Sequence, residues 1–414
     1  MKIEVSIEKN TLEGKMFYRE ACGEKISALA FGAMRLPQKD GEIDQEQVNR
    51  MTEYAMAHGV NYFDTAYPYH DGKSEISLAE ALSKYTRDSY LLADKFPGHQ
   101  AMKEYNAEGI FEEQLAKCKV DYFDFYLFHN VCEYSMPTYS NEEYGIIDYF
   151  VEQKRRGRIK NLGFSTHARA ENLESYLDYI ESKMGGKPDF CQIQLNYMDW
   201  TMQDAKSKVE LLNSRGIPIM VMEPVRGGKL ADLGEENNAK LKTERPGESV
   251  ASWAFRWLMD VPGVVTVLSG MSNFEQMQDN VKTFSEEKPL NEDEKKLLEE
   301  IAESLKDGVP CTSCRYCCEG CPMELDIPML LSGYNDLKFQ SSSFTVGMQM
   351  DGTPEDKWPH RCIACGACSA ICPQQIDIPE VLREFADMLD KAPSWAALCK
   401  EREEAAERLR AQNS

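Results

Sequence analysis

The stretch Phe31-Gly-Ala-Met-Arg-Leu-Pro-Gln-Lys-Asp-Gly41 carries the chain out of its first apolar run, and its reading decides the fold. The run, Ser27–Met34, is apolar nearly throughout, as a strand buried on both faces must be. An open, doubly wound sheet usually continues from such a strand into a G-x-G-x-x-G turn. Residues 31–41 contain no such turn. Further apolar runs follow at Val60–Ala66, Ser89–Phe96, Tyr122–His129, Ile159–His167, Asp189–Tyr197, Ile217–Pro224 and Val264–Gly270. Amphipathic patterns separate them, among them Gln45–His58, Ser74–Tyr85, Gly145–Arg156, Thr201–Arg215 and Ser249–Met259. Gly59, Gly157 and Gly216 follow three of these, where a helix commonly ends on a left-handed residue. Eight strand–helix units between residues 25 and 290 match a closed (β/α)8 TIM barrel in size and order. The fold class is therefore α/β, a barrel over residues 1–290 followed by a smaller, mostly helical domain over 291–414.

Before the barrel, Ile3–Lys25 alternates as a short hairpin would, placed to plug the barrel bottom. After it come a charged helix (Asn291–Lys306), a cysteine-rich stretch, and a charged, Ala-rich helical tail (Ser394–Asn413).

The chain has 414 residues, 42% of them apolar and 28% charged, enough for a sizeable core. Its net charge of −22 repels phosphate backbones and anionic lipid, which argues against nucleic acid and membrane partners. Acidity on this scale reads first as solubility. The opening residues MKIEVSIEKN lack the apolar core of a secretory signal, and no continuous apolar run is long enough to span a bilayer. A cytoplasmic location is the expectation.

Of 14 cysteines, nine lie between Cys311 and Cys372; Cys22, Cys118, Cys132, Cys191 and Cys399 are scattered and read as small buried hydrophobes. A dense cluster in a reducing compartment points to metal rather than disulfides. One pattern occurs twice: Cys311-x2-Cys314-x2-Cys317-x3-Cys321-Pro322 and Cys362-x2-Cys365-x2-Cys368-x3-Cys372-Pro373. This is the bacterial ferredoxin run, in which two-residue gaps wrap three corners of a [4Fe–4S] cubane and thiolates match the softness of iron. In two-cluster ferredoxins the fourth cysteine serves the other cluster. On that reading Cys311, Cys314, Cys317 and Cys372 hold one cluster, and Cys362, Cys365, Cys368 and Cys321 the other. Zinc ribbons also use C-x2-C pairs, but they give no reason for a third step and a trailing proline in both copies. Cys318 stands outside the pattern as a buried spare.

The catalytic signal is Gly59-Val-Asn-Tyr-Phe-Asp64-Thr-Ala-Tyr-Pro-Tyr69, with Glu75 beyond it. This motif resembles the signature of the aldo/keto reductase family. The resemblance extends over residues 25–285, and the cysteine motifs mark the subgroup with a C-terminal ferredoxin-type dicluster domain. It implies a catalytic set of Asp64, Tyr69, Lys95 and His129, all at carboxyl ends of barrel strands, where barrel active sites lie. The chemistry suits them. A carbonyl that accepts hydride becomes an alkoxide and needs a proton. Tyrosine, with a pKa of about 10, needs a neighbouring cation to act near neutrality. Lys95 would supply that cation, Asp64 would fix the lysine, and His129 would orient the carbonyl oxygen.

The resemblance further places Ser165, Gln192 and Asn196 beside a nicotinamide carboxamide and Asn280 at the adenine end of NADP(H) or NAD(H). It departs from the family at Glu223, where some members stack an aromatic ring, and at Gly270 and Gln276, where many place cations for a 2′-phosphate. Arg226, Gly227, Gly228, Lys229, Ser269 and Gly270 form an expected phosphate cradle after the seventh and eighth strands. Tyr134, Tyr139 and Tyr144, in the loop 131–144, either flank an apolar carbonyl substrate or pack the rim, with packing favoured; the loop 225–245 stands beside them.

A hydride carries two electrons and a cluster one, with flavin the usual converter. The leading expectation is carbonyl/alcohol redox chemistry in the barrel, coupled to electron transfer through two clusters. A second places FMN in the barrel instead of NADP(H), exchanging electrons with a soluble carrier of the ferredoxin or flavodoxin type. A third, a non-catalytic electron-transfer subunit, leaves the four-residue set without a purpose.

Overall fold

The computed structural model describes residues 16–100, 105–133, 135–305, 308–339 and 343–392. Two compact units divide between Glu303 and Ser304.

In the first unit eight parallel strands close into a barrel: β1 (Leu29–Gly32), β2 (Tyr62–Asp64), β3 (Leu91–Phe96), β4 (Phe123–Phe128), β5 (Ile159–Thr166), β6 (Cys191–Gln194), β7 (Ile219–Met222) and β8 (Val264–Ser269). Each strand pairs with its neighbours in sequence, and β8 pairs with β1 to close the ring. The helices that follow the strands are α1 (Gln45–Ala57), α2 (Ser74–Leu82), α3 (Ala107–Cys118), α4 (Ile146–Arg155), α5 (Ala170–Met184), α6 (Ala205–Ser214), α7 (Val250–Met259) and α8 (Phe274–Thr283). Asp44, Asn106, Ser249 and Asn273 cap α1, α3, α7 and α8 by accepting from backbone N–H groups one turn on. Gly59 ends α1 at φ +86°, which only glycine adopts without strain.

Strand periodicity sorts the side chains into two layers. Tyr62, Ala93, Phe125 and Leu127 fill the barrel interior, while Phe63, Leu92, Phe96, Tyr126 and Phe128 pack under the helices. Alternation then turns Asp64, Lys95 and His129 inward and Asp94 outward. Gly163 on β5 is forced: a Cβ there would lie 2.4 Å from the Phe190 carbonyl oxygen.

The stretch expected as one helix over Thr201–Arg215 is two, Asp199–Met202 and Ala205–Ser214. The break falls at Asp204, in the left-handed region at φ +48°. The expected hairpin is present as Tyr18–Ala21 paired with Glu24–Ser27; residues 3–15 lie outside the described residues. Ile26, wholly buried, joins the interior cluster with Leu91 and Phe190, so the hairpin closes the amino-terminal end of the barrel. Helix α9 (Glu292–Ser304), up to Glu303, belongs to this first unit, beyond the residue-290 boundary read from sequence. Arg245 donates to Glu294 at 2.6 and 2.7 Å, and Leu298 and Ile301 are buried.

The second unit packs α10 (Ile327–Phe339), α11 (Ser343–Asp351) and α12 (Ile378–Lys391) around Leu330, Leu331, Tyr334, Leu382 and Phe385. The repeat extends past the cysteines. Cys321-Pro-Met-Glu-Leu-Asp-Ile-Pro328 and Cys372-Pro-Gln-Gln-Ile-Asp-Ile-Pro379 each lead into a long helix, with Glu324 and Gln375 in matching left-handed conformations at φ +51° and +54°. The tail Ser394–Asn413 lies outside the described residues. Among the described residues no helix is long and apolar enough to cross a membrane.

Candidate functional site

Asp64 ends β2, Lys95 is the penultimate residue of β3, and His129 follows β4, so three neighbouring strands deliver three polar side chains to one mouth. Lys95 is 1% exposed, and its ammonium donates to Asp64 Oδ1 at 2.5 Å and to the Thr65 carbonyl at 2.6 Å. Tyr69 reaches in from the loop after β2. Lys95 Nζ lies 4.9 Å from the centre of its ring, which meets the His129 ring edge-on at 5.8 Å. The four expected residues are thus gathered in one place.

Their electrostatics differ from the expectation in one respect. Burial, followed by the Asp64 carboxylate and then Glu223, pushes the Tyr69 phenol well above its ordinary value. Tyr69 is held as a neutral acid. Burial, with His99 and Lys95 nearby, likewise holds His129 well below the ordinary histidine range, and its ring is neutral. Asp64 is raised by burial, with Lys95 working against that rise. His129 Nδ1, Asp64 Oδ2 and Gln192 Oε1 are buried without a hydrogen-bond partner among the described residues.

Ser165 on β5 and Gln192 on β6 are register partners on the interior face. The Ser165 hydroxyl accepts from the Asn130 backbone N–H at 2.8 Å. Asn196 and Arg226, expected to touch cofactor, are drawn into a buried network around Asp199. Asn196 Nδ2 donates to Asp199 Oδ2 at 2.7 Å, and Arg226 Nη2 lies 3.1 Å from Asp199 Oδ1. Asn280 donates to Ser269 Oγ at 2.9 Å, so these two also serve each other. Gly227 and Gly228 turn the chain at φ +66° and +99°, with Gly228 exposed and Lys229 half-buried beside them. Gly270, exposed, lies under the stem of Arg35, whose Cβ would be 3.3 Å from a Cβ at that glycine. Arg35 was missed from sequence; the only signal was a cation in the first strand-to-helix loop.

Tyr139 was read as rim packing or substrate wall. It is 2% exposed, and its hydroxyl donates to the backbone carbonyl of His129 at 2.7 Å, with the Phe96 carbonyl 3.1 Å away, fixing the histidine's backbone. Tyr144 is partly exposed, and Tyr134 lies outside the described residues.

In the second unit the cysteines ring two cavities. Cys311, Cys314, Cys317 and Cys372 line one; Cys321, Cys362, Cys365 and Cys368 line the other. Each cavity takes three cysteines from one motif and the last from the other. Among the described residues no three such side chains converge as the ligands of one ion would; each set surrounds a larger space. Cys118, Cys132 and Cys191 are buried and Cys22 is half-buried; Cys399 is outside the described residues.

A closed barrel with Asp64, Tyr69, Lys95 and His129 at its carboxyl-terminal mouth is the framework of a carbonyl oxidoreductase. The chain belongs to the aldo/keto reductase family, whose profile matches residues 28–303, and it carries a 4Fe-4S dicluster domain matched over residues 310–376. It is 24% identical to L-galactose dehydrogenase of Arabidopsis thaliana, over 69% of this chain and 93% of that one. It is 23% identical to the NADH-specific methylglyoxal reductase of Escherichia coli, over 65% and 92%. Among solved structures, the holo form of an aldo-keto reductase from Bacillus halodurans superposes with a TM-score of 0.55 at 22% identity, covering 69% of this chain and 96% of that one. An aldo/keto reductase from Brucella melitensis gives 0.54 at 21%, covering 69% and 100%. These structures share the barrel.

Proposed function

We propose that the barrel interconverts a small carbonyl compound and its alcohol with a nicotinamide dinucleotide, and that two [4Fe–4S] clusters in the second unit exchange single electrons with a soluble carrier. The observation that supports it is the convergence of Asp64, Lys95, Tyr69 and His129, two of which leave a buried polar atom without a partner at the mouth. Gln192 Oε1, buried and unpartnered beside Ser165, fits the amide of a nicotinamide, which would supply hydride. The chain's residues do the rest. His129, neutral, donates one hydrogen bond to the substrate oxygen and orients it. Tyr69, protonated, delivers its proton as negative charge grows on that oxygen. Asp64 and Thr65 anchor Lys95, which stabilises the tyrosinate left behind. The two sets of four cysteines suit cubane clusters, which would supply one-electron transfer.

The test is Tyr69→Phe, assayed anaerobically with NADH and NADPH against a panel that includes methylglyoxal and L-galactose. Turnover falls by at least about 100-fold while iron content is unchanged; carbonyl reduction at the wild-type rate in the variant refutes the assignment. A second reading, FMN in the barrel, is favoured by Glu223, whose carboxyl stands where an aromatic ring would cover a nicotinamide. Release of FMN on denaturation would select it.

A further inference from the structure

The two cysteine motifs fold alike, and one position sets them apart. Ser313 and Ala364 are left-handed at φ +56° and +52°, and Arg315 and Gly366 follow in matching places at +67° and +77°. Asp326 and Asp377 then cap α10 and α12, accepting from the Met329 N–H at 3.3 Å and the Glu380 N–H at 3.4 Å. Glycine enters the left-handed region freely, whereas arginine does so at a cost and stays only where its surroundings hold it. Asp326 holds it here, accepting from Arg315 Nη1 at 3.1 Å and from Nη2 at 3.2 Å.

Arg315 lines the cavity of Cys311, Cys314, Cys317 and Cys372, and among the described residues it is the only charged one lining either cavity. The other walls are largely apolar, with Leu331, Ile376 and Ile378 around the first and Leu325, Ile327 and Leu382 around the second. The second motif opens to water instead. Its Ile363 is 60% exposed, and Cys365 is exposed where its counterpart Cys314 is half-buried.

Four thiolates leave a cubane cluster net negative, and the single electron it accepts adds one more negative charge. Nearby positive charge and contact with water both stabilise that charge, and so raise the potential. We propose that Arg315 is the fixed counter-charge of the cluster held by Cys311, Cys314, Cys317 and Cys372, serving it as water serves the other cluster. The two clusters thus answer to different controls, one to a guanidinium–carboxylate pair and the other to solvent. This rests on the dicluster reading of the second unit. The size of the effect follows from the setting. Arg315 is 58% exposed and Asp326 offsets part of its charge, so screening confines the effect to about threefold in the reduction equilibrium. For one electron that is about 28 mV.

The experiment is an anaerobic redox titration of the holoprotein with dithionite, followed by electron paramagnetic resonance, with iron counted in each sample. R315Q removes the charge; D326N removes its partner and keeps an acceptor for the α10 cap. Each protein holds about eight irons. In R315Q one midpoint falls by about 28 mV and the other stays, and in D326N the same midpoint rises. A role confined to packing would move the two variants in the same direction or not at all, and either result overturns the proposal. So do two midpoints that fall together in R315Q. Should R315Q lose iron, D326N decides: a raised midpoint upholds the proposal, and an unchanged or lowered one overturns it. A wild-type protein without two cluster signals refutes the dicluster reading itself, and the proposal with it.

Discussion

Replacing Lys95 by Met isolates the ion pair on which the catalytic set is built. Met preserves most of the stem but removes the ammonium and its bonds to Asp64 at 2.5 Å and Thr65 at 2.6 Å. Asp64, 3% exposed, is left without a cation. Breaking a buried pair from one side typically costs 3–5 kcal/mol, because the remaining charge is stranded. The pH dependence gives the sign independently. Burial already raises Asp64 with Lys95 present, so without Lys95 it rises further above its unfolded value of about 3.9. A carboxyl raised on folding carries no penalty below that unfolded value. Its penalty grows by about 1.4 kcal/mol per pH unit until the folded group ionises. The cost of losing Lys95 is therefore smallest at low pH and grows as pH rises. For a barrel of this size about 4 kcal/mol is a fall in Tm of about 8 °C at pH 7, shrinking towards pH 5. The double variant Asp64→Asn/Lys95→Met removes the stranded charge and recovers most of the loss, yet carbonyl reduction stays abolished in both. The assay is far-ultraviolet circular dichroism under anaerobic conditions at pH 5, 6, 7 and 8, with visible absorbance following the clusters separately. A Lys95→Met protein that melts with the wild type at every pH refutes the reasoning, as does a double variant no more stable than the single one.

Two further outcomes follow from the geometry. Cys314→Ser/Cys372→Ser removes two ligands from one cavity and should leave about four irons, whereas Cys365→Ser/Cys372→Ser strikes both and should leave almost none; pairing within each motif would exchange the two results. Gly163→Ala places a methyl 2.4 Å from the Phe190 carbonyl oxygen and should destabilise the barrel by about 1–3 kcal/mol. An unchanged Tm would show that β5 and Phe190 separate freely.

The barrel was legible because parallel strands covered on both sides must be apolar almost throughout, and eight such runs alternating with amphipathic stretches leave few other closures. Asp64, Lys95 and His129 were named by the resemblance, and their placement at the mouth was legible for a related reason: each stands at or near the end of an apolar run, and strand alternation assigns the face. The cysteine spacing likewise carried its chemistry on its surface, since cluster geometry sets the gaps between ligands.

Other features depended on contacts between residues far apart in sequence. Nothing in the stretch around Asn196 or Arg226 announces that both would be turned towards Asp199, because that depends on where β6 and β7 come together. The upward shift of the Tyr69 phenol was hidden for the same reason. A neighbouring lysine can be read from order along the chain, but burial and the Asp64 carboxylate raise the phenol only once the barrel has closed. Arg35 beside Gly270 brings the first loop against the last, a proximity that only ring closure creates. Local pattern and spacing therefore determined the elements and the ligand types, and the resemblance to a family supplied the catalytic candidates. The tertiary structure decided which polar groups remain open to a substrate, because hydrogen-bond satisfaction and desolvation are properties of the folded surroundings and not of the residue.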